Sequence, residues 1–419
     1  VKLSLEQSEI GKRYNKINPR RSVLLSDCCS ASPWCNDPAF RFEAVFAEAA
    51  KIARPGSPEP VAQQWQKAMM GADPEVSFLP FRNLAELNSR LQLLAITNRL
   101  DLAAIRGRMR TGAEVHFEYG YYSEDHSPDV FLILEFRLPD MQMEDFAALA
   151  QRWIDLSSSS DADYVPALRR VLALSGFFGG TGPGRLARVS TRVNREIRAG
   201  VWRISQVVLN RASANPTEFA AVGLDNQLDS TFEPDAFGRL WNKGEQALAS
   251  RSDYDIPNGF WTRQSSLEYR TQSGADNKPC SLGTPGGEGG NAAAKLRNVL
   301  AIQQCTLCHT SESGTLFRQI SNRAPGESST LSSFLAGTGG TNPHPALLEL
   351  YYAEAYPEVV RPVVVNYGDY SGNCSDNKEN PRTETRYYHD IARRALFLAE
   401  APGETRGTTG QHFRTRLIH

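Results

Sequence analysis

Residues 111–123, TGAEVHFEYGYYS, and 129–138, DVFLILEFRL, decide how this chain folds. Both runs are dense in aromatic and β-branched side chains, which favour a pleated, half-buried surface. The polar EDHSP between them, residues 124–128, has turn chemistry. Together they predict an antiparallel hairpin.

The segments on either side set the class. Upstream, 40–53 (FRFEAVFAEAAKIA), 61–72 (VAQQWQKAMMGA) and 82–105 have apolar residues at helical spacing, with PGSPEP (55–60) as a breaker and Asn98 as a break in the third. Downstream, 143–156 and 164–178 predict helices, 185–199 reads as a further helix, and 201–210 (VWRISQVVLN) alternates like a strand. Strands and helices do not alternate as βαβ units, so the class is α+β with an antiparallel sheet. Residues 225–290 are rich in turn formers, and GTPGGEGGN (283–291) is the clearest linker. The expected division is a mixed helix and antiparallel-sheet domain over 1–285 and a mostly helical region over 286–419. The latter closes with a helix over 384–401, on which Tyr388, Ile391, Ala392, Ala395 and Leu398 share a face.

Bulk composition excludes some functions. The 419 residues carry a formal net charge of −1, with mean hydropathy −0.41. Without a basic excess, the chain has no electrostatic footprint for nucleic acid. The longest apolar runs, such as VFLIL (130–134), are too short to span a bilayer. The chain begins at Val1, so a secretion leader would not be visible in it. GFFGGTGPGRLARV (176–189) lacks the lysine of a phosphate-binding loop and reads as a flexible connection. Asp101 is expected to anchor its loop through Arg99, and His116 and His126, in or beside the hairpin, read as structural.

The strongest chemical signal is QQCTLCHTSES (303–313), in which Cys305, Cys308 and His309 form C-x-x-C-H. Seven cysteines and seven histidines in 419 residues make this string rare by chance. At the end of a short helix (292–304), two thiols one turn apart point to one side, and the adjacent imidazole can reach an iron. That is the donor set of one covalent haem c. A structural zinc site would need a second ligand pair, and only the distant Cys280 and Cys374 or a histidine could supply it. A thioredoxin-like dithiol would sit in a βαβ context, which is missing. A plain disulfide stays open. Cys28, Cys29 and Cys35 lie in a Ser/Pro-rich loop and read as a local disulfide or buried thiols.

His309 is the expected proximal iron ligand. All five methionines precede the motif, so a second axial ligand from the C-terminal region would be a histidine. His344, opening a segment after a glycine-rich turn, is the first candidate, ahead of His389, His412 and His419. Three functions remain: an electron carrier with a redox partner protein or membrane redox complex; a haem peroxidase or oxygen-handling enzyme, with Glu312 or Arg318 beside an open sixth position; or a non-redox binding or structural protein with C-x-x-C-H as a disulfide or partial zinc site.

Several stretches in order, AITNRLDLAA (95–104), GAEVHFEYGYY, LILEFRLP, RWIDLSS, ALRRVLALSGFFGG, CTLCHTSESGTLFRQISNRAPGESSTLSSFLAG (305–337) and HDIARRALFLAEA, resemble a family of large exported bacterial proteins and lipoproteins. The likeness covers most of residues 60–400. In it Cys305, Cys308, His309, Glu312, Thr315, Phe317 and Arg323 match the late C-x-x-C-H block, while Gln319 stands where the family has histidine. The resemblance implies haem attachment and a periplasmic or extracellular location, with outer-membrane anchoring through a lipidated precursor. It supplies no activity.

Overall fold

The computed structural model describes residues 12–13, 16–18, 21, 23–25, 37–53, 59–72, 84–121, 130–179, 186–197, 201–210, 219–222, 227–228, 261–262, 320–321, 329, 331, 363–366, 383–386 and 390–403. In chain order these give β1 (Leu24–Leu25), a 3-10 turn (Pro38–Phe40), α1 (Phe42–Ala53), α2 (Glu59–Ala72), α3 (Leu84–Arg90) and β2 (Leu91–Arg99). Then come β3 (Ala104–Arg106), β4 (Met109–Thr111), the hairpin β5 (Glu114–Tyr121) and β6 (Val130–Arg137), β7 (Met141–Gln142), α4 (Met143–Asp155) and α5 (Asp161–Leu174). β8 (Arg188–Ile197), β9 (Val201–Asn210), β10 (Phe219–Val222), the pair β11 (Gln227–Leu228) and β12 (Trp261–Thr262), the pair β13 (Val363–Asn366) and β14 (Thr383–Arg386), and α6 (Asp390–Glu400) follow. The fold is mixed α+β.

A seven-stranded antiparallel sheet, ordered β1-β2-β5-β6-β8-β9-β10, organises it. Successive side chains on a strand point to opposite faces, so β5 and β6 each have two characters. Val115, Phe117 and Tyr119 lie opposite Phe136, Leu134 and Leu132 and form one face, all buried. Phe177, in the turn after α5, packs on it, with its ring 5.3 Å from Phe117 and 4.9 Å from Phe136. Helix α1 buries Phe42, Val45, Phe46, Ala49 and Ala50, the stripe expected of a core-facing helix. Phe42 meets Tyr119 edge to face at 5.4 Å, and Phe46 meets Trp65 of α2 at 5.5 Å. The Tyr119 hydroxyl donates to the Phe40 carbonyl at 3.0 Å, so its polar end is satisfied inside the core.

The expected helix over 82–105 is a correction. Among the described residues there only α3 is α-helical, residues 91–99 form β2, paired with β5, and Leu100–Leu102 is a single 3-10 turn. β2 is buried on both faces from Leu93 onward, so it has no period-two signature, and its continuous apolar run mimics a buried helix. The expected helix over 185–199 is strand β8. Arg188, Ser190 and Arg192 share a polar but covered face, while Thr191 lies on the other face beside Val189, which hid the alternation. The expected helix over 384–401 is shorter: Thr383–Arg386 is a strand, and α6 begins at Asp390. Ile391, Ala395 and Leu398 are buried together as expected, joined by Arg394. Tyr388 and most of 286–389 lie outside the described residues, including the expected short helix before C-x-x-C-H.

A small sheet, β3-β4-β7, sits beside α4, and the chain leaves it for β5 through Gly112 at φ +90°, a conformation that side chains other than glycine strain to adopt. From β4, buried Arg110 reaches between two helices. Its guanidinium carbon lies 5.2 Å from the Phe146 ring of α4 and 5.7 Å from the Phe397 ring of α6, and Nη1 donates to the Ala103 carbonyl at 3.2 Å. Burial pushes its pKa down to about 10, opposed by the Glu400 charge. At the same, C-terminal end of α6, Arg13 Nε donates to the Ala399 carbonyl at 2.6 Å, a favourable place for a cation. A desolvated cation over aromatic faces is worth about 2 kcal/mol. Arg110→Ala is therefore expected to speed amide hydrogen exchange in residues 391–400 by roughly thirtyfold, with β5 and β6 still the slowest-exchanging segments.

Candidate functional site

The second face of the main sheet is polar yet buried along its centre and half-buried around it. Its residues come from five adjacent strands: Thr97 and Arg99 on β2, Glu114, His116 and Glu118 on β5, Glu135 on β6, Ser190 and Arg192 on β8, and Gln206 on β9. Register explains their meeting. Thr97 pairs with His116, His116 with Glu135, and Glu135 with Ser190, so four side chains form a row across the strands. Thr97, His116, Glu135 and Ser190 are all at most 5% exposed.

Glu135 is the hub. Its Oε2 accepts from Ser190 Oγ at 2.5 Å and more weakly from Gln206 Nε2 at 3.4 Å, while Gln206 Nε2 also donates to Ser190 Oγ at 2.9 Å. Its Oε1 faces Arg192 Nε at 2.8 Å as an ion pair, without hydrogen-bond alignment. On β5, His116 Nε2 lies 2.8 Å from Glu114 Oε2. One donor atom from each of Glu114, His116 and Glu135 falls within 4.8 Å of the other two. Beside them Thr97 donates to Glu118 at 2.7 Å, and Arg99 forms a two-pronged pair with Asp101 at 3.0 and 3.3 Å. That pair is the loop anchor expected from the sequence, and both partners are buried.

Burial raises the Glu114 pKa, but the hydrogen bond from His116 and the charges of His116, Arg192 and Arg99 lower it more, so Glu114 is held below its ordinary 4.5. Two carboxylates, an imidazole and a guanidinium thus share a covered site with Glu114 ionised. Such a group can hold a cation or stay as a self-neutralised network.

Of the residues expected from the sequence, Cys305, Cys308, His309 and His344 lie outside the described residues, as do all seven cysteines and Glu312 and Arg318. The nearest described residue in that block is Ile320, which is buried in the main core and bridges Leu331. Among the histidines only His116 is described; it is buried in the polar row and tied to Glu114, in keeping with the structural role expected from the sequence. The sequence did hold a signal: E-x-H-x-E (114–118) places three ionisable groups on one face of a predicted strand. Their cross-strand partners could not be read without register. No protein-family model matches this chain, no curated protein matches its sequence, and no solved structure matches its fold.

Two outcomes are expected at this site. Arg192→Met leaves Glu135 charged, buried and without its cation, a change that costs about 3–5 kcal/mol. The same substitution in a Glu135→Gln background should cost at least about 1 kcal/mol less, read from urea midpoints of the four proteins. Second, because the folded pKa of Glu114 is depressed, its stabilisation is fully present above 4.5 and is lost as the pH falls through the folded value. Unfolding free energy measured from pH about 6 to about 3 should fall less steeply in Glu114→Gln than in the parent.

Proposed function

We propose that this chain is an exported protein with one covalent haem c that passes single electrons to or from a partner protein or a membrane redox complex. The observation that carries the reading is C-x-x-C-H at 305–309. The donor set has the right chemistry: Cys305 and Cys308 supply the two thiols for thioether attachment, and His309 supplies the proximal nitrogen. Bound there, the haem provides a ferrous–ferric couple whose potential depends on the axial ligands and on solvent access. The segment 310–337 follows the motif directly and would shield that group from water. His344 is the candidate for the opposite axial position. Residues 286–419 would form the mostly helical haem-bearing region, with 1–285 as the scaffold or docking part.

Two observations support this arrangement. Ile320, in the same block as the motif, is buried in the main core. Further on, α6 is fixed on α4 by Phe146, Phe397 and Arg110. Segments on the C-terminal side of the motif therefore rest on a packed support, and a redox centre benefits when its surroundings do not reorganise. The location follows from the chemistry and the resemblance: the periplasm or the cell exterior, with lipidation of a precursor as the means of anchoring. No helix among the described residues is long and apolar enough to cross a membrane.

Purified protein from a host with cytochrome c maturation should give a c-type pyridine haemochrome band. Cys305→Ser together with Cys308→Ser should abolish it, and His344→Ala should turn a six-coordinate ferric spectrum into a high-spin one. Absence of the band in the parent protein contradicts the reading.

A further inference from the structure

We propose that Glu114, His116 and Glu135 form a binding site for one divalent cation of the manganese, iron or zinc class, separate from the C-x-x-C-H segment. The sheet's register assembles it. Glu114 and His116 are two positions apart on β5 and so share a face, and Glu135 is the direct cross-strand partner of His116. Three ligands thus approach from one side, leaving the remaining positions to water or to a bound anion.

The distances suit an ion. Nitrogen and oxygen donors lie about 2.0–2.2 Å from such a metal, so neighbouring donors on one side of it are about 3–3.5 Å apart. The three donors lie within 4.8 Å of one another, and side-chain rotation that moves a donor by about an ångström closes the set. The 2.8 Å between His116 Nε2 and Glu114 Oε2 is the spacing of neighbouring ligands, and the ion would take the place of the proton between them.

Glu135 provides the independent observation. It is 3% exposed, and its Oε1 makes no aligned hydrogen bond although it faces Arg192. That oxygen is held by the Arg192 charge and accepts no hydrogen bond. Its other oxygen is tethered by Ser190 and Gln206, the kind of outer hydrogen bonding that orients a ligating carboxylate. Two carboxylates and one imidazole without a thiolate favour manganese, iron or zinc over copper(I), and the imidazole disfavours calcium and magnesium. Arg192 offsets one of the two carboxylate charges, and a divalent ion offsets the other with one positive charge to spare, which a bound anion would balance.

The test uses the full chain stripped with a chelator and titrated with Mn²⁺, read by loss of the free-ion EPR signal. Manganese is the probe because thiols bind it weakly, so the seven cysteines do not compete. One Mn²⁺ per chain is expected, with a melting temperature that rises with ion concentration. Nitrogen coupling in the spin-echo spectrum of the bound ion should report the imidazole. His116→Gln and Glu135→Gln should each weaken binding at least tenfold, while Glu118→Gln, on the same strand face but outside the set, should not. An undiminished free-ion signal with the parent protein overturns the site, whatever the variants do. So does bound manganese without nitrogen coupling, or binding that persists unchanged in both variants.

Discussion

The antiparallel pairing of β5 with β6 is the constraint on which the rest depends. Its register sets Phe117 opposite Leu134 and His116 opposite Glu135. A slip of one residue would exchange the faces of one strand, putting carboxylates under Phe177 and rings into the polar row. Both faces are covered, so each penalises that slip. On the apolar side the cost is lost packing of Phe117, Phe136 and Phe177. On the polar side it is an unpaired buried Glu135. The sheet is thus pinned by its core and by its charges together, and the polar row is placed as firmly as the hydrophobic one.

That double coverage also explains which parts were legible in the sequence. The hairpin, α1, α2, α4, α5 and β9 could be read because each has a clean period or a composition that fits one type of element. β2 and β8 could not. LQLLAITNR is buried on both faces from Leu93 onward and carries polar residues on each, and in RVSTRVNREI the adjacent Ser190 and Thr191 put polar residues on both faces, so hydropathy shows no clean alternation. α6 was legible from Ile391, Ala395 and Leu398, but not its start, because the TETR that precedes it pairs as a strand with a partner nearly twenty positions earlier. The Arg99–Asp101 anchor was visible as a local pair. The cluster around Glu135 was not, since Ser190, Arg192 and Gln206 reach it only through pairing of strands far apart in sequence.

The two chemical features of the molecule have different origins. C-x-x-C-H is local: five consecutive residues hold the whole donor set, so it can be read without a fold. The Glu114–His116–Glu135 group is made by the sheet and exists only when β5 and β6 are in register. A large α+β body is more than a single haem needs for attachment. A covered polar row inside that body, tied to the same core as Ile320 and α6, gives the body a chemistry of its own. An ion there would cross-link β5 and β6 beneath the row, adding stability at the strands that everything else packs against.

The most direct measurement of the functional account is the intact mass of the mature chain, made in a host with cytochrome c maturation, followed by peptide mapping. The account predicts a single added haem, located on the peptide containing Cys305, Cys308 and His309 and retained after denaturation. A chain without that addition, with Cys305 and Cys308 found as free thiols or joined to each other, would contradict it.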